Sequence, residues 1–205
     1  MENAAMNAHT NLTDQDDLLR IEIYNMLAHL CRQAPEQSVL EFLANLDVDT
    51  AQTFQRQTMA SAWPLLKLAA QKTTLLSAEE EYQDVFIGIG RGEVVPFGSW
   101  YLTGSLMEMP LAYLRQDLKQ MGFERAQSVI EPEDHISALL EVMAMLVEGG
   151  DEHLQQTFFN RHLAQWCEKF CTDLKAAKSA VFYTAVGELA WQFLTIEKTR
   201  FLESQ

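Results

Sequence analysis

The sequence predicts an all-α protein: a single-domain helical bundle of about nine helices. Three observations carry that reading. Apolar residues recur at three- and four-residue spacing through most of the chain. Capping residues precede those runs, and Gly or Pro follows them. Val94-Val95 is the one extended-looking stretch, and two β-branched residues do not make a sheet.

The elements follow in order. Residues 1–12 are expected to be a disordered polar tail, and 13–200 the helical domain. Thr13 opens the first helix, with Asp14, Asp16 and Asp17 in its acidic first turn and Leu19, Ile23, Met26, Leu27 and Leu30 as its apolar stripe. Ala34-Pro35 closes it. Ser38 and Glu41 stand at capping-box spacing for a short helix through Leu46. Thr50 caps the next helix, which runs to about Lys72, turns Phe54, Ala62, Leu65, Leu66 and Ala69 inward, and is kinked at Pro64. Ser77 and Glu80 repeat the capping-box spacing ahead of Tyr82, Val85 and Phe86.

Gly88–Gly98 then breaks the pattern. It is the longest loop in the chain, and long loops often carry function. After it, Met109 to Gln120 reads as a helix with Pro110 in its first turn and Gly122 as its left-handed stop. Glu131-Pro132-Glu133-Asp134-His135 reads as the start of another. Pro132 suits the first helical position, and Ile136, Leu139, Leu140, Met143, Leu146 and Val147 recur behind it until Gly149-Gly150. Asp151 caps a helix through Lys175, and Ser179 opens the last one.

Composition excludes several functions. The net charge of −14 repels nucleic acid and anionic membranes and attracts basic partners. No apolar run approaches ~18 residues, so no spanning helix is expected. Met1–Thr10 has neither a basic start nor an apolar stretch, so it is not a signal peptide and the chain is expected to be cytoplasmic. Cys31, Cys167 and Cys171 are an odd set that does not suggest a disulfide framework. The residue types admit two other readings: a cysteine- or metal-dependent enzyme using His135, His162 and Cys167, and a nucleotide-responsive adaptor using the Gly88–Gly98 loop. Neither has its usual signature. Paired zinc knuckles, Gly-x-Ser-x-Gly, His-Glu-x-x-His and a terminal Gly-Lys-Ser/Thr are all absent from the sequence. No catalytic residue, metal or cofactor is expected.

Three blocks carry a family resemblance, in order along the chain. They are Glu81-Tyr82…Val85-Phe86-Ile87-Gly88, then Val95-Pro96-Phe97-Gly98-Ser99-Trp100-Tyr101-Leu102, then Glu131-Pro132-Glu133-Asp134-His135-Ile136 followed by His162, Trp166 and Phe170. The chain resembles the TorD/DmsD/NarJ-like family of molybdoenzyme maturation chaperones from about Leu18 to Phe193. The resemblance implies a TorD-like helical fold that binds a molybdoenzyme precursor before export or assembly, often through its twin-arginine signal peptide, and holds it until the cofactor is inserted. It implies client binding by Asp134 and His135, with Glu131, Pro132, Pro96, Phe97, Trp100 and Tyr101 around them. Phe97-Gly98-Ser99 stands where many members carry Trp-Glu-Ser. The lost carboxylate points to a different branch, with a formate-dehydrogenase-like or other molybdopterin oxidoreductase as client. The family also implies a monomer or a domain-swapped homodimer.

The charge pattern agrees with these implications. An acidic surface steers a basic leader, and Met107, Met109, Met143 and Met145, in or near the key blocks, supply adaptable apolar surface.

Overall fold

The structure is a computed structural model. It describes residues 2–48, 59, 61–126 and 129–203, the side chains of 2–14 and 203 excepted. Among these residues are ten α-helices: α1 Glu2–Arg32, α2 Gln37–Ala44, α3 Ala62–Lys72, α4 Leu75–Tyr82, α5 Gly98–Thr103, α6 Met109–Gln120, α7 Ile136–Glu148, α8 Glu152–His162, α9 Cys167–Ala176 and α10 Phe182–Glu203. A π-helical turn, Gln83–Ile87, continues α4.

The hub is α7. Nine of its residues are buried, and Ile136, Leu139, Leu140 and Met143 are almost wholly so. Each such side chain contributes roughly 1.5–3 kcal/mol of burial. The α1 stripe of Leu19, Ile23, Leu27 and Leu30 packs against α7, as its spacing predicts. The last helix, α10, packs against α1, α3, α4, α8 and α9 and closes the bundle.

Several starts differ from the sequence expectation. Helix α1 is drawn from Glu2 rather than Thr13, through the stretch expected to be a disordered tail. Nothing in Asn3-Ala4-Ala5-Met6 breaks a helix, and Ala is the strongest helix former. Ser38 is not a cap: Glu36 holds that position on α2 without a side-chain bond. The capping box of α4 is Thr74 with Ser77, one turn before the expected pair. Pro64 lies in the first turn of α3, where it starts a helix instead of kinking one, and Leu65 points outward. Thr50 and Phe54 lie outside the described residues. The helix expected from Asp151 to Lys175 is broken at Leu163–Trp166, with Asp151 capping α8 as expected. Ser99–Thr103 is helical, which its Gly-rich surroundings hide.

Two polar devices hold the ends of the bundle. Arg20 donates from Nε and Nη2 to Glu197 at 2.9 and 2.7 Å, and from Nη2 to Gln155 Oε1 at 3.0 Å. Tyr24 donates its hydroxyl to the same carboxylate at 2.8 Å. Arg20 and Glu197 are both sealed, so either one left alone would be a buried charge costing ~3–5 kcal/mol. Glu81 crosses to the start of α10 and accepts the N–H groups of Val181, Phe182 and Tyr183 at 2.7, 3.0 and 2.6 Å. A carboxylate remote in sequence therefore satisfies helix-end donors that the local chain leaves open.

The Gly88–Gly98 loop folds back on the π-turn. Val94 N–H donates to Val85 O at 2.8 Å, and Val94 is buried. Gly88 sits at φ +57°, and a Cβ there would lie 2.2 Å from Arg91 O. A Cβ on Gly92 would lie 2.4 Å from the Phe86 backbone. Both glycines serve close chain approach.

Candidate functional site

The site is built on a short pairing between the end of that loop and the segment before α7. Phe97 and His135 form an isolated antiparallel bridge. Gly98 N–H donates to Asp134 O at 2.9 Å, and Ile136 N–H donates to Pro96 O at 2.8 Å. The Glu131–His135 block is therefore not the first turn of the helix. Helix α7 begins at Ile136, His135 is its N-cap, and Pro132, Glu133 and Asp134 precede it. The backbone of His135, at φ −63° and ψ 137°, is extended. Bonding to Pro96 and Gly98 competes successfully with helix formation here.

Glu133 and Asp134 form a turn closed by the His135 N–H donating to Pro132 O at 3.1 Å, and His135 alone is extended. Asp134 and His135 part company at that junction. Asp134 is 3% exposed, and its Oδ2 accepts the Ser99 N–H at 2.8 Å, near the start of α5. Its Oδ1 and the Ser99 hydroxyl are buried with no hydrogen-bond partner among the described residues. Both residues line a cleft of about 480 Å³ together with Trp166, Tyr113 and Arg161. There His162 Nε2 meets Asp117 Oδ2 at 2.7 Å, and Trp166 Nε1 donates to His162 O at 2.6 Å.

His135 faces a second groove, of about 440 Å³. Its Nδ1 accepts the Ser137 N–H at 3.2 Å and lies 2.7 Å from Ser137 Oγ. The ring stands edge-on to Phe97, with centroids 4.9 Å apart. Burial lowers the imidazole pKa to about 4 against the opposing pull of Glu131, so the ring is neutral at neutral pH.

The groove is largely apolar, with Phe86, Pro96, Phe97, Phe123, Val142 and Met145 among its lining. Four carboxylates edge it: Glu124, Glu131, Glu133 and Glu141. Two of these are already paired. Glu141 meets Arg32 at 2.7 Å, while Glu133 meets Arg115 at 2.8 Å and Arg125 at 3.7 Å. Exposed Glu131 and Glu124 have no cationic partner among the described residues.

Five of the residues singled out from the sequence share this groove: Pro96, Phe97, Glu131, Pro132 and His135. The other three do not line it. Asp134 turns to the second cleft. Trp100 lies under the Arg91 guanidinium at 5.0 Å, and Tyr101 stacks on Trp166 at 5.4 Å. Met143 is core, Met145 lines the groove, and Met107 and Met109 are exposed away from it. Gly98 lies close to Trp166: a Cβ there would sit 3.2 Å from Nε1, a tight contact that a small shift of the indole would have to relieve. Sequence reasoning missed Arg32, Glu141 and Val142 as groove residues. Ala138, Glu141, Val142 and Met145 follow helical spacing on one face of α7, a signal that was available in principle.

Cys31, Cys167 and Cys171 are all buried. Burial raises the Cys31 thiol to about 12 and Cys167 to about 11, and lifts Cys171 well above its ordinary value. None is a ready thiolate. Among the described residues, no group of His, Cys, Asp or Glu could hold a metal ion. No helix among them is long and apolar enough to cross a membrane.

Comparison with known proteins gives the family and the fold. A family model described as nitrate reductase delta subunit matches residues 55–172. Chaperone protein TorD of Shewanella pealeana is 26% identical over 98% of this chain and 97% of its own length. Tat proofreading chaperone DmsD of Salmonella typhi is 33% identical over 56% of this chain and 57% of its own. The crystal structure of an Archaeoglobus fulgidus protein assigned to redox enzyme maturation superposes with a TM-score of 0.57 at 17% identity, covering 86% of this chain and 94% of that one. That likeness establishes a shared fold. The chain belongs to the nitrate reductase delta subunit family, the family of TorD- and DmsD-like maturation chaperones.

Proposed function

We propose that this protein is a cytoplasmic chaperone that holds a molybdoenzyme precursor by its twin-arginine signal peptide until cofactor insertion, before export or assembly. The client is a molybdopterin oxidoreductase, with a formate-dehydrogenase-like enzyme as the first candidate. The observation that carries the reading is the groove beside His135: apolar walls with unpaired carboxylates at the edge. Its apolar surface suits the middle of such a peptide, and Glu131 and Glu124 suit its basic start. Pro96, Phe97, Glu131, Pro132 and His135 are the contact residues. Asp134 braces the loop behind them through the Gly98 and Ser99 N–H groups, and Trp100 and Tyr101 lie off the groove. The protein acts by binding and not by catalysis, a reading that the buried, protonated thiols support.

The test is calorimetric titration with a synthetic peptide that carries Arg-Arg ahead of an alanine- and leucine-rich stretch. Saturable one-to-one binding is expected. It should weaken when both arginines become glutamine and again when the apolar stretch is made polar. Equal affinity for all three peptides overturns the proposal.

A further inference from the structure

The groove holds one buried polar group whose second face is uncommitted. His135 is 7% exposed, and its Nδ1 is occupied by Ser137. A backbone N–H can only donate, so the Nδ1 that the Ser137 N–H meets at 3.2 Å is the acceptor, with its lone pair on that side and no proton. Ser137 Oγ lies 2.7 Å from the same nitrogen, and its hydroxyl is the donor there when Nδ1 is unprotonated. In a neutral ring the proton must sit on Nε2. That nitrogen has no hydrogen-bond partner among the described residues, and it is not among the side-chain atoms sealed from solvent. The ring lines the groove, held edge-on by Phe97.

What could accept this N–H? Arg32 and Arg125 on the lining are engaged by Glu141 and Glu133, which leaves Glu131 and Glu124 as the uncompensated charges at the edge, and these disfavour a carboxylate or phosphate. A neutral oxygen suits an apolar surface, where an unpaired N–H is costly. In a helical segment the backbone carbonyls are already bonded except in the last turn, whereas an extended segment leaves them free.

We propose that Ser137 fixes His135 as the Nε2–H tautomer, and that His135 donates from Nε2 to a main-chain carbonyl of a client segment lying extended in the groove. The proposal rests on the client-binding reading above and specifies how that site recognises its peptide. His135 is then a neutral donor rather than a partner for the client's arginines. Ser137 is a positioning residue that never touches the client.

The test uses the full-length protein labelled with nitrogen-15 and the same Arg-Arg peptide. The imidazole spectrum at neutral pH should show Nδ1 unprotonated and Nε2 protonated. Adding peptide should slow exchange of the Nε2 proton and shift its resonance downfield. His135→Asn keeps a capping oxygen but loses that reach. It should weaken binding about 3- to 10-fold, the worth of one hydrogen bond, with helicity and Tm close to wild type. Ser137→Ala should give a mixture of tautomers and a smaller loss, with Ser137→Thr restoring both. A protonated Nδ1 or a cationic ring overturns the proposal. So does a bound peptide that leaves the Nε2 proton and the His135→Asn affinity unchanged, although the client reading would survive that result. If the wild type binds no peptide while the tautomer is as stated, the client reading fails and the carbonyl contact fails with it.

Discussion

Asp134 and His135 share a peptide bond and serve different surfaces. Asp134 is turned inward against the start of α5, and its carboxylate is occupied by the Ser99 N–H. His135 is turned toward the groove, with one nitrogen tied to Ser137 and the other uncommitted. On a helix the two side chains would diverge by ~100°; here Asp134 ends a turn, His135 is extended, and the two line different clefts. Adjacent polar residues in a motif therefore need not act on the same ligand. One braces the wall of the site and the other presents chemistry to it.

The difference can be tested most strongly with acid. His135 has a folded pKa near 4, below its unfolded value of 6.5, so the unfolded state binds the extra proton between those values. Stability from this group is complete above about pH 6.5 and is lost as pH falls towards 4, about 3 kcal/mol in all. His162, also lowered by burial against the pull of Asp117, adds in the same direction. Denaturant titrations across pH 4 to 7 should show this slope, and His135→Asn should flatten it. A slope unchanged by that substitution would mean that the imidazole is not the group responsible.

Next in size is Asp134→Ala. It strips the Ser99 N–H of its acceptor in a buried place and should lower stability by about 1–3 kcal/mol, read as a shift in the urea midpoint. Peptide affinity, measured where the variant is fully folded, should stay within about twofold, a change below ~0.5 kcal/mol. A large affinity loss with an unchanged midpoint would reverse the roles assigned to the two neighbours. An alanine substitution at both positions together would confound the two effects.

Smaller again is Glu131→Gln. Removing one exposed, unpaired carboxylate should weaken the Arg-Arg peptide by a few-fold, consistent with a surface ion pair of ~0.2–1 kcal/mol. The loss should shrink as salt is raised. The smallest effect belongs to Trp100→Phe, which keeps an aromatic face for Arg91 and should change peptide affinity less than twofold, below ~0.5 kcal/mol. A strong effect there would place Trp100 in the client's path.

Much of this was legible in the chain. The α1 stripe, the bounds of α6, the Asp151 cap and the Ile136–Val147 run all follow from local spacing, and the structure contains each of them. The site was half legible. The Pro96–Phe97 and Glu131–His135 blocks do meet, and Phe97 pairs with His135. Their local conformation was not readable. Pro132 with two acidic neighbours is a good helix start by propensity, yet the segment forms a turn and an extended His135 instead, because its backbone bonds Pro96 and Gly98, far away in sequence. The break at Leu163–Trp166 has the same character. No Gly or Pro marks it, and the Trp166 indole, seated against Gly98 and Tyr101, holds it in place.

By itself, then, the order of residues determined the helical class, the acidic surface, the apolar run of the hub helix and the two blocks that build the site. Those properties rest on periodicity and charge, which act between neighbours along the chain. Only the tertiary structure decided that Glu81 caps α10, that Arg20 is matched by Glu197, and that Asp134 and His135 look opposite ways. Each of those is a hydrogen bond or an orientation set by groups remote in sequence. Such partners become known only when the core has brought them together.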